Sequence, residues 1–305
     1  MTPSVSLASP PVLGSPVVGP PVLGAAPLDA ALDALDAVLR GRRVVVLSGA
    51  GLSTDSGIPD YRGPETRHRA RNPIRYNAFV DTGPEGAAAR QRYWARAAVG
   101  WGRIVHARPN AGHAAIARLE DAGVVAGVLT QNVDGLHAAA GSRRVVELHG
   151  ALSRVRCLAC GARHGRGAVQ RWADALNPGH AAHRAEAAPD GDVELSDDAI
   201  ARFVVPTCPG CDGALKPDVV FFGECLAPET AEAAWQLYAD ADALLVVGSS
   251  LAVYSGLRYV HRAARDGKAV AIVTLGETRG DAHASVKVDA PLSLVLPVLA
   301  ERLVG

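Results

Sequence analysis

The chain has 305 residues, 49% of them hydrophobic, enough for one large α/β domain with a small companion or for two modest domains. Basic and acidic residues balance at 31 each, so no net field draws it to nucleic acid or to an anionic membrane surface. No apolar run approaches the ~18 residues of a spanning helix, and no membrane segment is expected.

Residues 1–26 repeat Pro10-Pro11-Val12-Leu13-Gly14 as Pro20-Pro21-Val22-Leu23-Gly24. Prolines forbid a helical signal core and no basic stretch precedes them, so the tract reads as a disordered tail, with a proline-rich partner ligand as the alternative. Leu28, Leu32, Leu35 and Leu39 then mark a helix face ended by Gly41. Val44 to Leu47 reads as a buried strand that runs into the turn Gly49-Ala50-Gly51. Residues 64–103, rich in Arg, Pro, Gly and Trp, interrupt the strand–helix rhythm as a helical insertion beside the glycine loop. A helix from Asn110 to Asp121, closed by Gly123, restores it. Apolar strands are expected at 124–129, 145–148, 219–222, 243–247 and 269–274, with helices between most of them. Such alternation predicts an α/β fold whose parallel sheet is covered on both faces. The block 153–212 has little apolar periodicity and many turn formers, and reads as a separate inserted module.

That block carries Cys157-x-x-Cys160 and Cys208-x-x-Cys211, four of the five cysteines. Glycines beside each pair permit the turn that points two thiolates at one ion. Four thiolates close a tetrahedral zinc shell, so the metal is expected to be structural. A redox Cys-x-x-Cys pair is the competing reading, and two pairs on one module speak against it. This cysteine usage points to a reducing, cytoplasmic compartment. Cys225 is expected to be a small apolar filler.

In an open α/β sheet, the turn after the first strand sits at the carboxyl edge, where phosphates meet a helix N-terminus. The turn alone is weak, since Thr54 stands where a third glycine would and Arg67-His68-Arg69 where an acidic residue would. The stretch Gly49 to Arg62 is nonetheless long, polar and glycine-rich without a P-loop lysine, which suits a pyrophosphate and a ribose. Thr130-Gln131-Asn132-Val133-Asp134 follows the strand ending at Leu129, and helix capping does not account for all its polar side chains. His149, before Gly150 at another strand end, is a candidate general base, a packed histidine being the alternative.

With these motifs in this order, continued by Lys216-Pro217-Asp218-Val219-Val220-Phe221-Phe222-Gly223-Glu224 and Val247-Gly248-Ser249-Ser250-Leu251, the chain resembles the sirtuin family from about residue 27 to 305. The resemblance implies a Rossmann-like domain from 27–152 and 213–305, with an inserted zinc-binding domain at 153–212 held by Cys157, Cys160, Cys208 and Cys211. It implies NAD-dependent removal of acyl groups from protein lysines, yielding nicotinamide and O-acyl-ADP-ribose. Gly49, Ala50, Gly51, Ser53, Thr54, Gly57, Ile58, Asp60, Tyr61 and Arg62 would line the NAD cleft. Ala50, Gly51 and Arg62 would meet pyrophosphate and ribose, and Asp60 and Tyr61 the nicotinamide pocket. Asn132 and Asp134 would fix nicotinamide, with Gln131 on the ribose, Val133 beside them and His149 as general base. Gly248, Ser249, Ser250, Thr274, Leu275, Gly276 and Leu292 would receive the adenosine half. Val219, Val220, Phe221, Phe222 and Gly223 would pair with the acyl-lysine peptide as an added strand. Thr274 stands where the family has Asn, keeping a hydroxyl but losing an amide group, so weaker NAD affinity is expected.

Arg90 to Arg96, Gly141 to Arg144 and Pro189 to Val193 look like class II, the branch of the mitochondrial lipoamidase type. Tyr93 and Arg96 are similar to a pair that grips succinyl in another class. The class II surroundings instead imply neutral, longer or branched acyl groups. A protein mono-ADP-ribosyltransferase and a non-enzymatic NAD-binding sensor are the alternatives.

Overall fold

The computed structural model describes residues 22–24, 28–60, 74–183 and 193–305. Seven parallel strands run in the order β1 (Val22–Gly24), β10 (Val286–Asp289), β9 (Ala269–Val273), β8 (Ala243–Val247), β2 (Val44–Ser48), β3 (Val125–Thr130) and β4 (Val145–Glu147). A separate antiparallel sheet has the order β6 (Arg163–Gly165), β5 (Gly150–Cys157) and β7 (Leu215–Val219).

The period of two along β2 sorts its side chains. Val44 and Val46 join one core cluster, while Val45 and Leu47 join the other. Helices α1 (Leu28–Leu39), α4 (Ala111–Asp121) and α10 (Leu292–Val304) bury Leu32, Ile116 and Leu299 in the first cluster. Helices α8 (Pro228–Ala239) and α9 (Tyr254–Asp266) bury Leu237 and Val260 in the second. The Asn110 side chain caps α4 by accepting from the Gly112 and His113 amides, so the chain turns into that helix where the sequence predicts. From β2 the chain moves to β3 and β4 on one side, and later from β8 to β9 and β10 on the other. The reversal between β2 and β8 is the topological switch point, where such sheets open a ligand crevice.

Two expectations are corrected. The strand expected at 219–222 is Leu215–Val219, and it pairs antiparallel with β5 rather than joining the parallel sheet. As an edge strand, β7 tolerates Pro217, which has no amide to donate. Within the tail expected to be disordered, Val22–Gly24 pairs in parallel with Lys287–Asp289, giving the edge of β10 a partner.

Around the small sheet lie α2 (Tyr76–Val80), α3 (Pro84–His106), α6 (Arg166–Leu176) and α7 (Asp197–Ala201). The long helix of the 64–103 insertion docks here: Trp94, Ala95 and Ala98 pack with Val155, Val169, Phe203 and Leu215. Trp94 is fully buried, and its indole Nε1 donates to the Leu215 carbonyl at 3.0 Å. At the module's tip the four cysteine sulfurs lie within 4.8 Å of one another, with Cys157–Cys211 at 3.5 Å and Cys160–Cys208 at 3.8 Å. Zinc–thiolate bonds of ~2.3 Å in a tetrahedron give S···S edges of roughly 3.8 Å, so the set fits one zinc ion. Gly213 makes the knuckle: a Cβ there would sit 2.8 Å from the Cys157 sulfur. The Cys160 amide lowers the Cys157 thiol, while at Cys211 the Gly213 amide is outweighed by the neighbouring sulfurs, which raise that thiol, so without a metal the four thiols share their charge unevenly.

Under α4, the fully buried His113 meets His137 of α5 (Leu136–Ala139) edge-on, with ring centroids 5.1 Å apart. His137 Nε2 donates to Ser48 Oγ at 2.8 Å, and Ser48 donates to Thr130 Oγ1 at 2.8 Å. Burial, reinforced by His113, pushes His137 down to about 3.

Metal analysis is expected to give one zinc per chain, and Cys208→Ala to lose it with a lower Tm; an unchanged Tm in that variant would contradict the structural role. Between pH 6.5 and pH 3 the unfolded chain protonates His137 while the folded chain does not, so stability falls as pH falls. Each such histidine contributes about 1.4 kcal/mol per pH unit. Urea titrations at several pH values should show this slope, reduced by about one proton in His137→Gln; an identical slope in the variant would refute the assignment.

Candidate active site at the switch point

Two turns meet main chain to main chain at the switch point. The Gly49 amide donates to the Val247 carbonyl at 3.0 Å, and the Gly51 amide to the Gly248 carbonyl at 2.9 Å. A Cβ on Gly49 would fall 2.7 Å from Ser249 Cβ, and one on Gly51 2.9 Å from the Gly248 carbonyl oxygen. Gly248 itself has φ +62°, and a Cβ there would meet the Leu52 nitrogen at 2.4 Å and Leu292 Cδ1 at 3.0 Å. Ala50–Leu52 and Thr54–Ser56 continue as two 3₁₀ turns ended by Gly57 at φ 81°. Thr54 Oγ1 bonds back to the Gly51 carbonyl, and Ile58 is buried against Ile104, Leu136 and Leu152 with Val133 beside them. Tyr61 and Arg62 lie outside the described residues, and Asp60 is the last described residue before them.

The loop after β3 is tied into this turn. Asn132, 8% exposed, donates through Nδ2 to the Gly49 carbonyl and to Ser53 Oγ, both at 3.1 Å. Ser53 Oγ donates in turn to Asp134 Oδ2 at 2.7 Å. The other Asp134 oxygen accepts from the Leu136 amide at 2.9 Å, so Asp134 also caps α5. Gln131 is pinned on the opposite side: its Oε1 accepts from Ser249 Oγ at 2.7 Å, and a Cβ on Gly256 would strike its amide at 2.8 Å.

His149 follows β4. Its Nδ1 lies 2.9 Å from the Gln131 carbonyl, which only accepts, so Nδ1 carries the proton. Its Nε2 lies 2.7 Å from Ser255 Oγ. Burial holds His149 below the ordinary imidazole range, against the pull of the Gln131 carbonyl and with help from the Arg258 charge. The ring is therefore neutral with a bare Nε2, the form of a general base.

The segment expected to bind peptide continues from β7 past this histidine. Val220 donates its amide to the His149 carbonyl at 2.9 Å, and the Phe221 amide donates to Glu224 Oε2 at 2.9 Å. Phe222 is 50% exposed, its carbonyl accepting from the Tyr76 amide at 2.9 Å, and Gly223 turns the chain at φ 85°. Beneath them Lys216, 1% exposed, bonds the Val219 carbonyl at 2.6 Å and pairs with Glu224 at 2.8 Å. Its ammonium stands 4.5 Å from the Phe221 ring centroid. Burial lowers the Lys216 pKa, and the Glu224 carboxylate opposes that shift.

At the far end, Ser250 accepts the Arg279 amide on its carbonyl, and buried Thr274 precedes exposed Leu275 and Gly276. The buried Lys287 ammonium donates to the Thr274 and Gly276 carbonyls at 2.8 and 3.0 Å, fixing that loop from below. Cys225, expected as an apolar filler, is exposed, because the chain turns outward after Glu224 reaches in to Lys216. Three contributors escape sequence reading. Ser255 looks like any serine in a first helical turn. Lys216 opens a motif of the resemblance, where nothing marks it as a buried anchor, and Lys287 shows only as one of three lysines in an arginine-rich chain.

Glycine main chain, hydroxyls and carboxamides meet at the switch point, a donor set that suits a dinucleotide, with one neutral imidazole bonded to the same loop. Residues 49–255 match the Sir2 family. NAD-dependent protein deacetylase 1 of Mycobacterium avium (strain 104) is 52% identical over 275 residues, covering 88% of this chain and 94% of that protein. The NAD-dependent protein deacetylase of Bordetella bronchiseptica (strain ATCC BAA-588 / NCTC 13252 / RB50) is 50% identical over 266 residues, covering 87% and 96%. A solved complex of Sir2 with a p53 peptide and NAD+ superposes with a TM-score of 0.68 at 30% identity, covering 91% of this chain and 97% of that one. Since the matched span runs from the glycine turn to the serine facing His149, and relatives share half their residues across nearly the whole fold, the chain belongs to the Sir2 family.

Proposed function

We propose that this protein is an NAD-dependent protein-lysine deacylase. The observation that carries this reading is the convergence of a neutral His149 and the Asn132–Ser53–Asp134 cluster at the switch point. The names of the half-identical relatives support it. NAD enters as a co-substrate, whose cleavage drives transfer of the acyl group from lysine to the ADP-ribose moiety.

Each residue has a distinct task. The Gly49–Gly51 turn and Gly248 let main chain approach the pyrophosphate without side-chain obstruction. Asn132 and Asp134, already oriented by Ser53, hold the carboxamide of nicotinamide, so no reorganisation is needed at the moment of bond cleavage. His149 Nε2 takes a proton from a ribose hydroxyl, while the Gln131 carbonyl stabilises the imidazolium through Nδ1–H. Val219 to Gly223, shaped by Lys216 and Glu224, offer main chain to an extended peptide that carries the acyl-lysine.

We further assign the enzyme to class II and to neutral, longer or branched acyl groups. Arg96 Nε donates to the Val193 carbonyl at 2.7 Å, and the Tyr93 ring packs edge-on against Phe79 at 5.6 Å, which favours a packing role for that pair over a carboxylate clamp. A reducing cytoplasmic setting suits the four thiols.

Replacing His149 with Tyr is expected to lower kcat by ~10²-fold or more while NAD binding persists; near-normal turnover would remove His149 from the mechanism. Asn132→Ala should suppress exchange of labelled nicotinamide into NAD, and persistence of that exchange would place the pocket elsewhere. The acidic limb of the kcat/KM profile should fall below pH ~6.5, because the base must be unprotonated and its pKa is lowered. Across acetyl, succinyl, lipoyl and branched peptides, kcat/KM should favour the apolar chains, each buried methylene adding ~0.8 kcal/mol. A succinyl preference abolished by Arg96→Met would reverse the acyl assignment.

A further inference from the structure

We infer that Ser255, which lies outside the Val247–Leu251 motif, is a positioning residue that holds His149 as a neutral base with Nε2 turned to the substrate side. The inference rests on the deacylase reading for its catalytic meaning, and on geometry alone for the hydrogen bond itself.

The imidazole is held at both ends. Nδ1 gives its proton to the Gln131 carbonyl at 2.9 Å, which leaves Nε2 as an acceptor. Ser255 Oγ lies 2.7 Å from Nε2, and it must donate. A hydroxyl that donates to Nε2 stabilises the neutral ring and fixes its plane, and a ribose hydroxyl bound at Nε2 would make the same kind of bond. Ser255 therefore keeps the lone pair solvated and aimed until substrate replaces it.

Its place in the fold adds two effects of the same sign. Ser255 lies in the first turn of the 13-residue helix α9, after the N-cap Val253, and the positive end of that helix disfavours an imidazolium. One turn on, Arg258 stacks over Trp235 and Tyr259 at 5.6 and 5.2 Å, and has no carboxylate partner among the described residues. Its uncompensated charge also opposes protonation of His149, and it is the charged group that acts on that ring. Hydroxyl, helix end and guanidinium all reach the base from α9.

The test uses the full-length protein, ¹⁵N-labelled at histidine, with His149→Asn identifying the His149 signals. Nitrogen shifts are followed against pH without NAD or peptide in the unaltered chain, Ser255→Ala and Ser255→Thr. In Ser255→Ala the His149 titration is expected to move up by roughly half to one unit, the shift set by one ordinary hydrogen bond to the neutral form. Ser255→Thr, which keeps the hydroxyl, should restore it. In deacetylation assays, the acidic limb of kcat/KM should move with the titration, so kcat/KM should fall several-fold at low pH, while kcat, set in the complex where substrate has replaced Ser255 at Nε2, should change little. An unmoved titration in Ser255→Ala, or a threonine variant that behaves like alanine, overturns the inference. The NMR readout needs no turnover, so absence of deacylation would count against the proposed function and leave the hydrogen bond separately decided.

Discussion

Everything in the site depends on two turns that touch through bare backbone. Gly49 and Gly51 after β2 and Gly248 after β8 come so close that a single methyl on any of them would overlap main chain or Cβ atoms below 3 Å. This contact brings together segments about 200 positions apart. It also sets where Leu292 at the start of α10 and Gln131 at the end of β3 must pack. Glycine is required here for steric room at Gly49 and Gly51, and for both room and a left-handed conformation at Gly248. Pairing between the strands alone would leave the loops free to choose other paths; the backbone contact removes that choice.

A second layer of order comes from buried charge. Lys216 and Lys287 each place an ammonium under a loop and bind its carbonyls, and burial lowers the pKa of both. Lys216 recovers much of that cost through Glu224, which also takes Arg156 at 2.7 Å. Lys287 has carbonyls as its close partners, with Asp281 and Asp289 acting at longer range. Such anchors serve loops well, because a carbonyl cluster bound by a cation has few alternative arrangements.

The large sheet and the glycine turn were legible in the sequence, since β2 alternates between two apolar clusters and the turn punctuates its end. Asn132 and Asp134 were legible as polar residues at a strand end, although their shared partner Ser53 is 79 positions from one and 81 from the other. The four cysteines were legible because their spacing is itself a geometry. The strand after Ala214 was misjudged because Val219 to Phe222 is apolar enough for a core strand, whereas pairing with β5 begins upstream, through Leu215, Lys216 and Pro217. Val22–Gly24 was misjudged because its neighbours are prolines and its pairing partner, β10, lies at the other end of the chain. Ser255 was invisible because its meaning resides in one distance to a residue 106 positions away.

The small module joins the large one in an unusual place. Strand β5 departs from Gly150, directly after His149, and β7 returns to Val219, which pairs with Gly150, before Val220 donates to the His149 carbonyl. Two of the chain's passages between the sheets thus flank one histidine. Residues 150–219 form a chain segment whose two ends meet at His149, so the seating of the cysteine module and the placement of that ring are set together.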